Sequence, residues 1–181
     1  MNSFLSEREA ILIISLKFLT GDMEKILVLS PGRQRYLIDL FKVYFEVYIG
    51  DNNDLILETY KEFTSLKMPL YGSEEYMDVL TSFICEHEIN YVLTLSDIEV
   101  VVLSGNEVLL ENAGCHLIGL PYDKALLCLD KYLFYEYLIT NGIYTPLTYI
   151  EVDKLQTDLK AGRIHYPLII KNRWGMGSKG L

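Results

Sequence analysis

A glycine-rich segment near residue 175 carries the residue types best suited to chemistry. Gly175–Gly180 reads Gly-Met-Gly-Ser-Lys-Gly, so three of its six residues are glycines. Glycines leave backbone N–H groups unobstructed, and successive free N–H groups can bind phosphate oxygens. Lys171 ends an apolar run just before this segment, and its ammonium can place a point charge on the same phosphate. The segment therefore predicts a phosphate-binding loop.

Other interpretations of the same glycines stay open. The spacing equals G-x-G-x-x-G, but a dinucleotide site also needs a following helix and an acid about 20 residues on. Only Leu181 follows Gly180, and the Gly-Lys-Ser/Thr order of a P-loop is absent. On the glycines alone, a flexible hairpin turn explains the segment equally well. Lys171 is the residue that favours phosphate binding.

Two further candidates follow predicted strands. Gly32 and Asp51 resemble the glycine turn and the ribose acid of a dinucleotide site, but one glycine stands where three are needed. A simple strand-end turn is therefore favoured. Asp97 and Glu99 follow a later strand, at the sheet end where ligands of parallel sheets bind. The Ser96-x-x-Glu99 pattern favours a helix cap there instead.

The elements that must position these residues alternate between strands and helices. Such alternation predicts an α/β fold: a Rossmann-like parallel sheet with helices on both faces. Helical patterns begin near Tyr36, at Ser73 as an N-cap, and over Ser96–Glu111. The predicted strands are Lys25–Ser30, Val43–Ile49, Ile89–Leu95 and Cys115–Leu120.

A second region follows Pro121. It is predicted to hold one long helix ended by Gly142, a strand, a short helix and a final strand. These elements cover Asp123–Asn141, residues 147–152, Asp153–Ala161 and Tyr166–Lys171. The chain is therefore predicted to comprise an N-terminal extension (1–22), a Rossmann-like domain (23–122) and a partial α+β lobe (123–181).

Composition excludes several classes of protein. Half of the 181 residues are hydrophobic, which excludes a disordered chain. The net charge of −9 without a basic stripe argues against a nucleic-acid-binding protein. Three cysteines without a CxxC pair predict neither a disulfide framework nor a metal site, and favour the cytoplasm. Ala10–Leu19 is too short to span a membrane, and the Ser6-x-x-Glu9 capping box predicts a short helix.

Three segments together resemble the ATP-grasp superfamily. The sequence YPLIIKNRWGMGSKG is similar to the start of the first ATP-grasp lobe, where a strand ending in lysine precedes a glycine-rich loop. Asp130-Lys131 followed by YLFYEYLITNGIYTP is similar to the helix and turn upstream of it. The part from KILVLSPGRQ to CHLIGLP resembles the pre-ATP-grasp domain. Within the superfamily, the chain most resembles carbamoyl phosphate synthetase large subunits and their single-copy amino-acid ligase relatives, and the resemblance covers about residues 23–181.

The resemblance implies a function and a set of site residues. The parent protein would be an ATP-dependent carboxylate–amine ligase that uses ATP and Mg²⁺, with a small carboxylic acid and an amine as substrates. Asn172 departs from the proline common in the family, and the magnesium ligands are expected beyond residue 181. The implied nucleotide contacts are Lys131 and Lys171, and the implied phosphate loop comprises Gly175, Met176, Gly177, Ser178 and Gly180.

Three hypotheses follow for the chain itself. The first is the N-terminal part of such a ligase, which by itself is expected not to catalyse. The second is a non-catalytic nucleotide- or metabolite-binding module on a Rossmann-like sheet. The third is one half of a split ligase, completed by a partner chain or a second copy. None of the three involves a nucleic acid or a membrane.

Overall fold

The apolar run that begins at Lys25 forms the middle of a parallel sheet. Within residues 23–175, the part of the chain that the computed structural model describes, five strands pair in parallel in the order third, second, first, fourth, fifth. This order is the Rossmann-like α/β arrangement predicted from the sequence. The strands are β1 (Lys25–Leu29), β2 (Glu46–Asp51), β3 (Ser65–Lys67), β4 (Tyr91–Thr94) and β5 (His116–Ile118).

Helices follow the strands, and the described residues divide into two units. Unit 1 comprises residues 23–95 and Asn106–Ile118 and contains the sheet; unit 2 comprises Ser96–Gly105 and residues 119–175. The helices of unit 1 are α1 (Arg35–Phe41), α2 (Asp54–Thr59), α3 (Tyr76–His87) and α5 (Glu107–Asn112). Those of unit 2 are α4 (Asp97–Gly105), α6 (Tyr122–Leu129), α7 (Lys131–Thr140) and α8 (Val152–Lys160).

The core of unit 1 lies on both faces of β1. Residues 26–29 are fully buried, as expected for a parallel strand covered on each side. On one face, Ile26 and Val28 belong to a buried cluster with Ile38 of α1. On the other face, Leu27 is in register with Tyr48, whose ring packs edge-on against Phe83 of α3 at 6.0 Å. The predicted two-sided sheet is therefore confirmed.

The second strand begins three residues later than predicted. Val43–Ile49 was expected to be a strand, but residues 43–45 instead continue the turn that ends α1. The N–H groups of Tyr44 and Phe45 both donate to the carbonyl of Phe41, at 2.9 and 2.8 Å. These local hydrogen bonds outcompete strand pairing, so β2 starts at Glu46. Helix α2 and the three-residue strand β3 were not predicted.

Each of the two longest predicted helices is interrupted. Ser96–Glu111 divides at Asn106, and Asp123–Asn141 divides at Asp130, where the backbone is extended with φ −92° and ψ 102°. The Ser73 cap is also wrong, because α3 begins at Tyr76 and the buried Ser73 hydroxyl has no hydrogen-bond partner. Glu99 N–H does donate to Ser96 Oγ, at 3.5 Å, which confirms the second cap.

Unit 2 has helices where they were predicted but lacks the predicted strands. Helix α8 matches Asp153–Ala161 closely, and Gly142 ends α7 with a φ of +70°. Residues 147–152 and Tyr166–Lys171 form no strand, because neither segment acquires a ladder of hydrogen bonds. The side chains of Ile169 and Ile170 are consequently 80% and 86% exposed. The described residues of this lobe are therefore helical and irregular.

Among residues 23–175, no helix is long and apolar enough to cross a membrane. The predicted N-terminal helix lies in residues 1–22, outside the described residues. So do four of the predicted phosphate-loop residues: Met176, Gly177, Ser178 and Gly180.

Candidate functional site

The start of the glycine-rich segment lies against the first turn of α7. The backbone N–H of Lys131 donates to the carbonyl of Arg173 at 3.2 Å, which joins two segments 42 residues apart. Side-chain contacts surround this hydrogen bond on both segments. We call the group the anchor cluster; it comprises Asp130, Lys131, Tyr132, Arg173, Trp174 and Gly175.

Asp130 separates α6 from α7 and caps the second helix. Its carboxylate oxygen Oδ1 accepts the backbone N–H groups of Tyr132 and Leu133, at 3.0 and 3.1 Å. An N-terminal helix turn leaves such donors without intrahelical partners, and aspartate is among the best residues to satisfy them. The residue is only 5% exposed. Asp130 therefore fixes where the turn that carries Lys131 begins.

Arg173 neutralises the buried carboxylate of Asp130. Its Nε lies 2.8 Å from each carboxylate oxygen, and its Nη2 lies 2.7 Å from Oδ2. The hydrogen bonds from Arg173 outweigh desolvation and lower the pKa of Asp130 to about 2. The guanidinium also lies over two rings, 5.7 Å from the centroid of Tyr132 and 4.8 Å from that of Trp174. Such stacking stabilises a cation and restricts the orientation of both rings.

Lys131 directs its ammonium at the glycine-rich segment. Nζ lies 2.8 Å from the carbonyl oxygen of Gly175 and 3.3 Å from that of Arg173. Among the residues that the structure describes, no carboxylate forms an ion pair with this ammonium. The two cations of the anchor cluster thus differ: Arg173 is neutralised by Asp130, whereas the partners of Lys131 within residues 23–175 are neutral carbonyls. Within the described part of this cluster, no carboxylate competes for the Lys131 ammonium.

Two other predicted site residues, Gly175 and Lys171, differ in their backbone environment. Gly175 has a φ of +115°, a conformation that L side chains rarely adopt, which explains a glycine at this position. Lys171 is exposed and lies in irregular backbone rather than at the end of a strand. The structure therefore brings Lys131 and Gly175 together and leaves Lys171 apart from any sheet.

Sequence reasoning missed Asp130 and Arg173 as members of the site. A signal for Asp130 was present, because an aspartate within a helical pattern is also a strong N-cap residue. No comparable signal identified Arg173. Its role depends on a partner 43 residues away, and that pairing becomes visible only in the folded chain.

The dinucleotide alternative in unit 1 centres on Asp51. This residue ends β2 and is 8% exposed, and burial raises the pKa of its carboxyl group. Its Oδ1 accepts the backbone N–H of Asn53 at 2.8 Å, and Asn53 in turn caps α2. The carboxylate therefore has a local role in the turn after β2. Among the described residues, no three His, Cys, Asp or Glu side chains converge as a metal site.

Comparison with protein families decides the kind of domain present. The family model described as "PylC-like, N-terminal domain" matches residues 26–118, just over half of the chain. The chain belongs to the PylC-like N-terminal domain family. That match covers all of the sheet except Lys25, the first residue of β1, and agrees with the pre-ATP-grasp resemblance noted in the sequence. The family match gives no specific support for a carbamoyl phosphate synthetase.

Other comparisons place this PylC-like chain only loosely. No curated protein matches it significantly. Among solved structures, RSP, a Rex-family repressor, is 13% identical with a TM-score of 0.39, over 73% of this chain and 70% of the other. A chorismate mutase/shikimate 5-dehydrogenase fusion protein from Clostridium acetobutylicum is 14% identical with a TM-score of 0.30, over 81% and 58%. Likenesses at this level carry no functional argument.

Proposed function

We propose that this chain is the N-terminal part of an ATP-grasp ligase that joins a carboxylic acid to an amine, similar to the large subunit of carbamoyl phosphate synthetase. Unit 1 is then the pre-ATP-grasp domain, and unit 2 begins the lobe that binds the nucleotide. The family match to residues 26–118 supports the first assignment. The anchor cluster supports the second.

The observation that carries the proposal is the approach of Lys131 to Gly175. The glycine-rich segment suggests phosphate binding by its composition, and residues 130–131 suggest nucleotide binding through the ATP-grasp resemblance. The two segments meet at a 2.8 Å hydrogen bond from Lys131 Nζ to the Gly175 carbonyl. An ammonium beside a glycine-rich segment is a suitable arrangement for phosphate oxygens, since it offers both a charge and unobstructed N–H donors. Lys171 would supply a second positive charge from the same segment.

The proposed chemistry uses ATP to activate a carboxylate. The carboxylate oxygen attacks the γ-phosphorus, ADP leaves, and an acyl phosphate forms; an amine then attacks its carbonyl carbon, and inorganic phosphate leaves. Mg²⁺ would neutralise the phosphate oxygens during transfer. Within this scheme, the residues of the anchor cluster, together with Lys171, bind and orient the triphosphate. The acid and the amine are small molecules whose identity stays open.

Isothermal titration of the purified chain tests the proposal directly. Mg·ATP is expected to bind, and NADH and NADPH are expected not to bind. Binding of a dinucleotide that disappears in Asp51→Ala would contradict the ligase assignment and favour a dinucleotide module on the sheet of unit 1. Absence of any Mg·ATP binding would contradict the nucleotide role of unit 2.

A further inference from the structure

Arg173 is tied to the turn of Lys131 through one shared carboxylate. Asp130 accepts hydrogen bonds from the Arg173 side chain and, on the same carboxylate, from two backbone N–H groups at the start of α7. Because Lys131 is the first residue of that helix, the position of Arg173 and the position of the Lys131 backbone are linked. The Arg173 guanidinium is therefore linked to Lys131 through Asp130 and makes no direct contact with the Lys131 ammonium.

The main chain of Arg173 supplies a second link. Its carbonyl oxygen accepts from both the backbone N–H and the Nζ of Lys131, at 3.2 and 3.3 Å. Arg173 thus contacts Lys131 through its carbonyl oxygen, and its guanidinium contacts Asp130, the residue that precedes Lys131. Since Asp130 already neutralises that guanidinium, Arg173 is poorly suited to bind phosphate itself.

We infer that Arg173 is a positioning residue for Lys131, and that an anionic ligand taking the Lys131 ammonium also rearranges the segment from Arg173 to Gly175. The carbonyls of Arg173 and Gly175 are neutral acceptors, and a phosphate oxygen is a stronger acceptor for an ammonium. When the Lys131 ammonium donates to a phosphate oxygen instead, these carbonyls lose a hydrogen-bond donor. The segment from Arg173 to Gly175 can then change its conformation. The inference rests on the proposed function in naming ATP as the anion.

The chain contains its own reporter for this event. Trp174 is its single tryptophan, lies within the segment, and is 57% exposed with the Arg173 guanidinium 4.8 Å from its ring centroid. Selective excitation of tryptophan therefore reads this one position. Mg·ATP is expected to shift the Trp174 emission maximum in the unmodified chain and to leave it unshifted in Lys131→Met.

Two variants remove the ion pair in different ways, and a third serves as a control. Arg173→Gln removes the guanidinium, whereas Asp130→Asn removes the charge but keeps an oxygen that can cap α7. Arg163→Gln breaks a comparable pair in the same unit, in which Arg163 Nε lies 2.8 Å from Asp158 Oδ1. We expect the first two variants to shift Trp174 emission without nucleotide and to weaken Mg·ATP binding about tenfold. The control is expected to do neither.

A double-mutant cycle distinguishes positioning from general structural damage. If Arg173 acts through Lys131, Arg173→Gln will weaken Mg·ATP binding in the unmodified chain but cause no further loss in Lys131→Met. Fully additive losses would overturn the inference, as would an unchanged Trp174 spectrum in both Arg173→Gln and Asp130→Asn. The spectral readout needs no nucleotide. Failure of the unmodified chain to bind Mg·ATP would instead contradict the proposed function.

Discussion

The buried carboxylate of Asp130 and the half-buried guanidinium of Arg173 form a bidentate ion pair, with Nε 2.8 Å from both oxygens and Nη2 2.7 Å from Oδ2. The pair joins the N-terminus of α7 to the start of the glycine-rich segment. Bidentate arginine–carboxylate pairs restrict geometry as well as supplying attraction. This ion pair therefore helps to hold together the two segments of unit 2 for which we propose nucleotide binding.

Acid is expected to break this pair. The pKa of Asp130 is lowered to about 2 from its ordinary value of 3.8, mainly by the hydrogen bonds from Arg173. Because the pKa is lower in the folded than in the unfolded chain, the pair stabilises the fold fully above about pH 4. That stabilisation is lost as the pH falls towards 2. Trp174 emission should follow the same transition.

An acid titration of the unmodified chain and of one variant checks this prediction. Emission from Trp174 and urea unfolding are recorded between neutral pH and about pH 2, for the unmodified chain and for Asp130→Asn. The difference in unfolding free energy between them should shrink as the pH falls. A difference that stays constant across this range would show that the ion pair contributes no pH-dependent stability.

Lys131→Met is predicted to weaken Mg·ATP binding about tenfold or more. The substitution keeps an apolar stem of similar length and removes the cation, and hydrogen bonds to charged groups contribute about 1.5–3 kcal/mol. Lys160→Met, on the exposed side of α8, is the matched control and should bind like the unmodified chain. Equal affinities for the two variants, measured by calorimetry, would remove Lys131 from the site.

The fold was more predictable from the sequence than the site. Strand β1 is a run of apolar residues that ends at a Pro-Gly turn, and residues 26–29 are fully buried, as this pattern predicts for a central parallel strand. The segment Tyr166–Lys171 has an equally apolar pattern yet forms no strand, because pairing depends on a neighbour and not on composition. The role of Arg173 was not predicted for a similar reason, because its partner, Asp130, lies 43 residues away in the sequence.

Gly50→Ala is predicted to destabilise unit 1 by about 1–3 kcal/mol, the usual cost of forcing extra volume into a packed core. A Cβ at this position would overlap the Leu29 side chain and contact Met68 Cγ at 3.5 Å. Gly72→Ala is the matched control, because no atom lies within 4 Å of a Cβ built there. Urea denaturation followed by far-UV circular dichroism compares the two. Equal midpoints would mean that the sheet accommodates the added methyl group.

Ser73→Ala is predicted to leave the stability of unit 1 unchanged within about 0.5 kcal/mol, or to increase it. The Ser73 hydroxyl is buried without a hydrogen-bond partner, so its removal relieves an unsatisfied polar group. By contrast, Asn53 Oδ1 accepts the backbone N–H of Leu55 at 3.0 Å, and Asn53→Ala should cost about 1 kcal/mol as a lost cap. The same denaturation assay ranks the two variants. A loss of about 1 kcal/mol in Ser73→Ala would restore Ser73 as the cap of α3, as its sequence pattern first suggested.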